Sequence, residues 1–231
     1  MLEIIASSAE EARIAAAAGA SRIELAIDLN QGGLTPPATM VRETLDTVSI
    51  PVRVMLRENR GFGILNQDEL ASMVRKAREL DAMKIDGLVL GFIRNGGLDL
   101  DAVNAITAAA PNTRITFHNA LERTVSPTGT LKALRSIPQI DTVLVHGSGT
   151  TPEARTQSLR EYAHLWQDDH RKLLVNGYPI SELHTLRSQN PFIQQFHLGS
   201  QVRTPEAPLP IGHLDASKIC AAIRTLHTAH N

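Results

Sequence analysis

The chain has 231 residues, 42% of them hydrophobic, a formal net charge of −1 and a single cysteine, Cys220. Such a length buries one large core, the mixed charge leaves no basic stripe for nucleic acid or polybasic patch for a membrane surface, and one cysteine excludes an internal disulfide framework. No apolar run approaches the roughly 20 residues of a membrane span, and the start at Leu2 carries no basic leader, so a single domain over 1–231 in a reducing cytoplasm is expected.

In chain order, strands are predicted near 2–6, 22–27, 51–57, 87–92, 114–118, 141–146, 171–176 and 195–200. Helix patterns lie between them with recognisable starts. Ser8 with Glu11 reads as a capping box, Asn66 precedes Asp68 and Glu69, and Ser126-Pro127 and Thr151-Pro152 place a capping hydroxyl before a first-turn proline. Short links such as Asp86-Gly87 and Ile140-Asp141 lead back to the next strand. Eight alternations of strand and helix predict an α/β protein, a single (β/α)8 TIM barrel with right-handed parallel crossovers. An open doubly wound sheet is the rival, but the turn after the first strand, Ala6-Ser-Ser-Ala-Glu10, lacks the glycines of a nucleotide-binding turn. The helix near 152–169 spaces Leu159, Tyr162 and Trp166 as a core-facing stripe. A last helix near 214–228 does the same with Ile219, Ala222, Ile223 and Leu226, with Cys220 at the flank. The segment Pro205–Pro210 is expected as a loop over the barrel mouth.

Five strands run into an ionisable residue: Arg22-Ile-Glu24, Val52 to Arg57, Ile115 to His118, Val143 to His146 and Gln195 to His197. Because side chains alternate across a strand, an inward Glu24 sends Ile23 and Leu25 outward. The same parity turns Arg53, Met55 and Arg57 inward and Val52, Val54 and Leu56 outward, and turns Thr116 and His118 inward. Aliphatic residues facing helices and polar residues facing a common axis suit a closed barrel.

Two chemistries compete for these residues. His118, His146 and His197, with Glu24 or Glu3 nearby, could ring one metal ion at the barrel mouth. Alternatively His118 acts as the acid/base, Glu24 orients it or serves as a second base, Arg57 anchors an anionic group, and His146 and His197 donate to a substrate oxygen. No lysine ends a predicted strand, which argues against Schiff-base chemistry. Gly177 after the seventh strand, with Gly199 and Ser200 after the eighth, stands where barrels cradle phosphate with backbone amides. The substrate of the second reading is a small anionic, phosphorylated or sugar-like metabolite. His164, His170, His184, His213, His227 and His230 fall on helices or loops and are expected at the surface.

The run Arg22-Ile-Glu-Leu followed by Gly32-Gly-Leu-Thr-Pro36, together with Val54-Met-Leu-Arg57, Gly87-Leu-Val-Leu-Gly91, Thr116-Phe-His118, Val145-His-Gly147 and Phe196-His197, resembles the CutC copper homeostasis family. The likeness extends from Leu2-Glu3 to about Arg203. It implies a cytoplasmic TIM barrel, often a homo-oligomer, with a role in copper tolerance and no firmly established reaction. The matching polar positions are Glu3, Glu24, Arg57, His118, His146 and His197. Three departures stand out: Ala26 where a cysteine is common, Glu122 in place of an aspartate, and Arg57-Glu-Asn-Arg60-Gly61 where an Arg-Pro-Arg-Gly-Gly turn is usual. Cys220 sits in the last helix and only Met55 among the methionines has inward parity, so bound copper is expected at His118, His146 and His197. The expected ligand is a metal ion or small molecule, with no nucleic acid or membrane partner.

Overall fold

A computed structural model describes residues 1–168, 170–206 and 210–227. Eight parallel strands close into a barrel: β1 (Leu2–Ala6), β2 (Arg22–Leu25), β3 (Val52–Met55), β4 (Gly87–Leu90), β5 (Arg114–Phe117), β6 (Ile140–Val145), β7 (Lys172–Val175) and β8 (Gln195–Leu198). Neighbours in sequence are neighbours in the sheet, and β8 pairs with β1 to leave no open edge. Closure excludes the doubly wound alternative. Each strand is followed by a helix: α1 (Ala9–Ala17), α2 (Ala38–Thr47), α3 (Gln67–Ala82), α4 (Leu100–Ala109), α5 (Pro127–Leu134), α6 (Pro152–Trp166), α7 (Leu183–Gln189) and α8 (Ala216–His227).

Helix starts follow the side-chain chemistry at their N-termini. Ser8, Asn66, Ser126 and Thr151 each accept the N–H of the third residue beyond, with Pro127 and Pro152 in the first turns of α5 and α6. The reciprocal arm of the capping box is displaced by one residue. Glu11 accepts from Ser7 N at 2.7 Å, and Glu69 from Leu65 N, so the carboxylate clasps the residue before the cap.

Two apolar groups result from strand alternation. Ile4, Ile23, Leu25, Val54, Leu88, Phe117 and Val143 face outward and form one continuous core with the helices. Trp166 is fully buried in that layer, and Leu159 and Tyr162 complete the stripe of α6. A separate small cluster is formed by Ile5, Ala26, Leu29, Met55 and Val89.

The barrel floor, at the N-terminal ends of the strands, is ionic. The almost wholly buried Arg53 donates from Nη1 and Nη2 to the two carboxylate oxygens of Asp141 at 2.7 Å and from Nε to Asp86 at 2.9 Å. Nη1 also reaches Thr116 Oγ1 at 2.7 Å. Gly87 is required beside it, since a Cβ there would stand 3.0 Å from Arg53 Nε and 2.8 Å from Arg114 O. The opposite end is left to the functional groups.

Beyond β8, Arg203 and Thr204 pair antiparallel with His213 and Leu214. Pro210 reaches back to line the barrel mouth. The remainder of the proline-rich segment, 207–209, lies outside the described residues, as does His230.

Candidate functional site

The C-terminal ends of the strands surround a cavity of about 270 Å³. Glu24, Arg57, His118 and His197 line it, with Gly177, Gly199 and Ser200 from the loops after β7 and β8. Met55 and Leu144 supply apolar wall, and Asn119 and Asn176 polar wall.

Register explains how Glu3, Glu24 and His197 come together. Glu3 pairs with His197 across β1 and β8 and with Arg22 across β1 and β2, while Glu24 lies two residues beyond Arg22 on the same face of its strand. Glu3 Oε1 lies 2.8 Å from His197 Nδ1 and its Oε2 accepts from Arg22 Nε at 2.5 Å. Glu24 Oε2 is 3.8 Å from the same His197 nitrogen and has no hydrogen-bond partner, although Glu24 is only 2% exposed.

The two carboxyls are driven apart electrostatically. Burial opposes ionisation of Glu3, but Arg22 and then His197 outweigh it and hold the carboxyl at about 2. Burial lifts Glu24 to about 7, with ionised Glu3 adding to the rise and His197 opposing it. For His197, burial favours the neutral ring, yet Glu24 and Glu3 reverse that and raise its pKa. Glu3, Glu24 and His197 form the cluster of potential metal ligands found among the described residues, with one donor atom from each within 4.8 Å of the others.

The expected ring of His118, His146 and His197 is therefore corrected. His146 does not line the cavity. Its backbone N–H and that of Gly147 are each held by Glu122 at 2.8 Å, and its ring turns to Arg155, with Nη2 3.1 Å from Nδ1. It stacks obliquely near Tyr178, and burial followed by Arg155 lowers its pKa. Strand parity, followed one residue past the end of β6, does not predict this, because the ring is drawn to Arg155, a partner on α6.

His118 does reach the cavity. It caps the short helical turn Asn119–Arg123, where Nδ1 accepts the Ala120 N–H at 3.2 Å. Gly91 makes room for the ring: a Cβ there would meet Nδ1 at 2.6 Å. Burial, then the neighbouring Arg57, pushes the imidazole down to about 3, and a contact with its own carbonyl does not restore it. Burial and Arg57 thus favour the neutral ring, which weighs against the general-base role expected for His118.

Arg57 also differs from the expected open fork for an anion. Nε donates to Asn59 O and Gly61 O at 2.9 and 3.2 Å, Nη1 to Gly32 O at 3.0 Å and Nη2 to Arg60 O. The guanidinium braces the loops after β2 and β3 against each other and lies 4.9 Å from the Phe62 ring centroid. Carbonyl partners of this kind cannot be read from a sequence. Arg22, by contrast, was legible as the alternate residue to Glu24, yet only the β1–β2 register reveals its partner.

A family model described as the CutC family matches residues 1–183. The chain belongs to the CutC family. A CutC family protein of Pectobacterium atrosepticum is 28% identical over 197 residues, covering 85% of this chain and 77% of that protein. One from Salmonella schwarzengrund is 34% identical over 135 residues, covering 58% and 54%. The chain thus spans only about half the length of several CutC relatives that it matches. Among solved structures, a candidate copper homeostasis protein CutC from Streptococcus agalactiae superposes with a TM-score of 0.74 at 23% identity, covering 85% of this chain and 97% of that one. The thiamine phosphate pyrophosphorylase of Pyrococcus furiosus gives 0.59 at 15% identity over 97% of this chain and 94% of that one. At these identities both likenesses concern the fold. The CutC family match ends before β8, so His197, Gly199 and Ser200 lie outside it.

Proposed function

We propose that this CutC-family chain serves copper homeostasis by binding a divalent metal ion between Glu3, Glu24 and His197. The supporting observation is Glu24 Oε2, buried without a partner and 3.8 Å from His197 Nδ1, in a cluster whose other carboxylate already carries charge. An isolated buried acceptor is costly, and a cation supplies the missing interaction. Two carboxylates and one imidazole suit a divalent ion such as Cu²⁺ or Zn²⁺, whereas cuprous ion favours thiolate or thioether. Ala26 offers neither, and Met55 is the cavity's one sulfur among its lining residues. Burial raises Glu24 to about 7, and Glu24 and Glu3 raise His197 above its ordinary value, so metal binding competes with protons at both and tightens as pH rises.

Metal-free protein titrated with Cu²⁺, Zn²⁺ and, anaerobically against a competing chelator, Cu⁺ tests this. Stoichiometric binding of the divalent ions, weakened by at least about 10- to 100-fold in Glu24→Gln and in His197→Gln, is expected. Equal affinity in wild type and Glu24→Gln overturns the reading. Cytoplasmic location and homo-oligomerisation belong to the same proposal and are supported by the family resemblance; light scattering tests the second. No described helix is long and apolar enough to cross a membrane.

A further inference from the structure

One buried donor in the cavity is not used by the metal reading. His118 Nε2 is shielded from solvent by its surroundings, has no hydrogen-bond partner, and belongs to a side chain that lines the cavity and is 3% exposed. Its tautomer follows from geometry. Nδ1 is an acceptor for Ala120 N–H, so the single proton of the neutral ring resides on Nε2. The ring cannot turn away easily. Gly91 packs against the Nδ1 edge closely enough that a Cβ would overlap it, and Phe62 meets the ring edge-on with centroids 5.4 Å apart. A fixed, neutral N–H in a side chain that lines the cavity therefore lacks an acceptor, an arrangement that costs free energy unless a ligand supplies one.

The surrounding groups define that ligand. Arg57 brings positive charge to the same wall, while Met55 and Leu144 give apolar contact. Asn176 Oδ1, also buried without a partner, can accept from a hydroxyl. A volume of about 270 Å³ falls just below the roughly 300 to 1,000 Å³ of drug-sized sites. We infer that the cavity binds a carboxylate or carbonyl compound of a few carbons, one oxygen of which accepts a hydrogen bond from His118 Nε2–H. A neutral imidazole donor stabilises an acceptor oxygen without surrendering its proton, which suits recognition of such an oxygen and any negative charge on it. This inference does not depend on a metal at Glu3, Glu24 and His197.

Nitrogen NMR of histidine-labelled, metal-free protein tests it, with pyruvate as the carboxylate probe and dihydroxyacetone as the carbonyl probe. His118 is expected as the Nε2–H tautomer throughout about pH 6 to 8. Its Nε2 resonance should move saturably with either probe, the stronger response identifying the oxygen preferred. By calorimetry, His118→Phe should weaken the responding probe at least about tenfold, whereas His118→Gln, which keeps a side-chain N–H, should retain more of the binding. A proton found on Nδ1, or an Nε2 signal unmoved by both probes, overturns the inference. The NMR readout on wild type decides the matter even where a variant fails to fold. Because no metal is present, the outcome is separate from that of the metal titration.

Discussion

Glu24 is an unusual residue to bury beside another carboxylate, and its ionisation ties the stability of the barrel to pH. The folded protein holds the Glu24 proton to about 7, against an ordinary value of 4.5. Between these values the folded state carries a proton that the unfolded chain has released, so stability falls as pH rises through the window. His197 acts in the same direction, because its raised pKa gives stability that is full below its ordinary 6.5 and is lost as pH rises through the folded value. Glu3, held at about 2, contributes stability present above 4.5 and lost as pH falls toward 2. His118, held to about 3, acts the other way up to its ordinary 6.5 and offsets Glu24 there, so metal-free protein is expected to melt highest near pH 6.5 and lower toward pH 8. Glu24→Gln should remove the fall that Glu24 contributes between 4.5 and 7, at most about 3 to 4 kcal/mol at about 1.4 kcal/mol for each pH unit. An unchanged slope, measured by thermal denaturation across pH, would contradict the assigned protonation of Glu24.

At the scale of elements, most of the architecture was legible in the sequence because it depends on local chemistry. Ser8, Asn66, Ser126 and Thr151 announced helix starts, and alternation placed Arg53, Met55, Thr116 and His118 inside the barrel. What remained hidden depended on contacts distant in sequence. Arg203 is 1% exposed and grips both oxygens of Glu11 at 2.7 and 2.8 Å, while also donating to Ile5 O and Gly212 O. No spacing pattern links residues 192 apart, and Glu11 was read only as half of a capping box. The pair fastens α1 to the segment after β8. Arg203→Ala is expected to destabilise the protein by about 3 to 5 kcal/mol in urea unfolding, since it strands a half-buried carboxylate. Arg203→Lys should recover only part of that loss, because an ammonium cannot meet both oxygens in a planar fork. His146 shows the same limit on reading a sequence, since its ring turns to Arg155 on α6, a contact that strand parity does not carry.

For the molecule as a whole, charge is divided between the two ends of the barrel. Arg53 with Asp86 and Asp141 closes the floor, while Glu24 and His197 line the cavity at the mouth with Glu3 held between His197 and Arg22. Faces at the N-terminal ends of barrel strands characteristically serve stability, and those at the C-terminal ends serve function. Arg53→Met is accordingly expected to cost about 3 kcal/mol by leaving two aspartates without their cation, yet to leave metal and pyruvate affinity within about twofold. A comparable loss of affinity in this variant would show that the floor and mouth are coupled.

The pairing of Glu3 on β1 with His197 on β8 has a temporal consequence. These residues belong to the first and last staves of the ring, 194 positions apart in the chain. A nascent polypeptide carries Glu3 and Glu24 long before His197 emerges from the ribosome, so the three groups meet only when the circle closes. Anything that then binds all three acts as a clasp on that seam, and mass action makes the clasped ring harder to unzip.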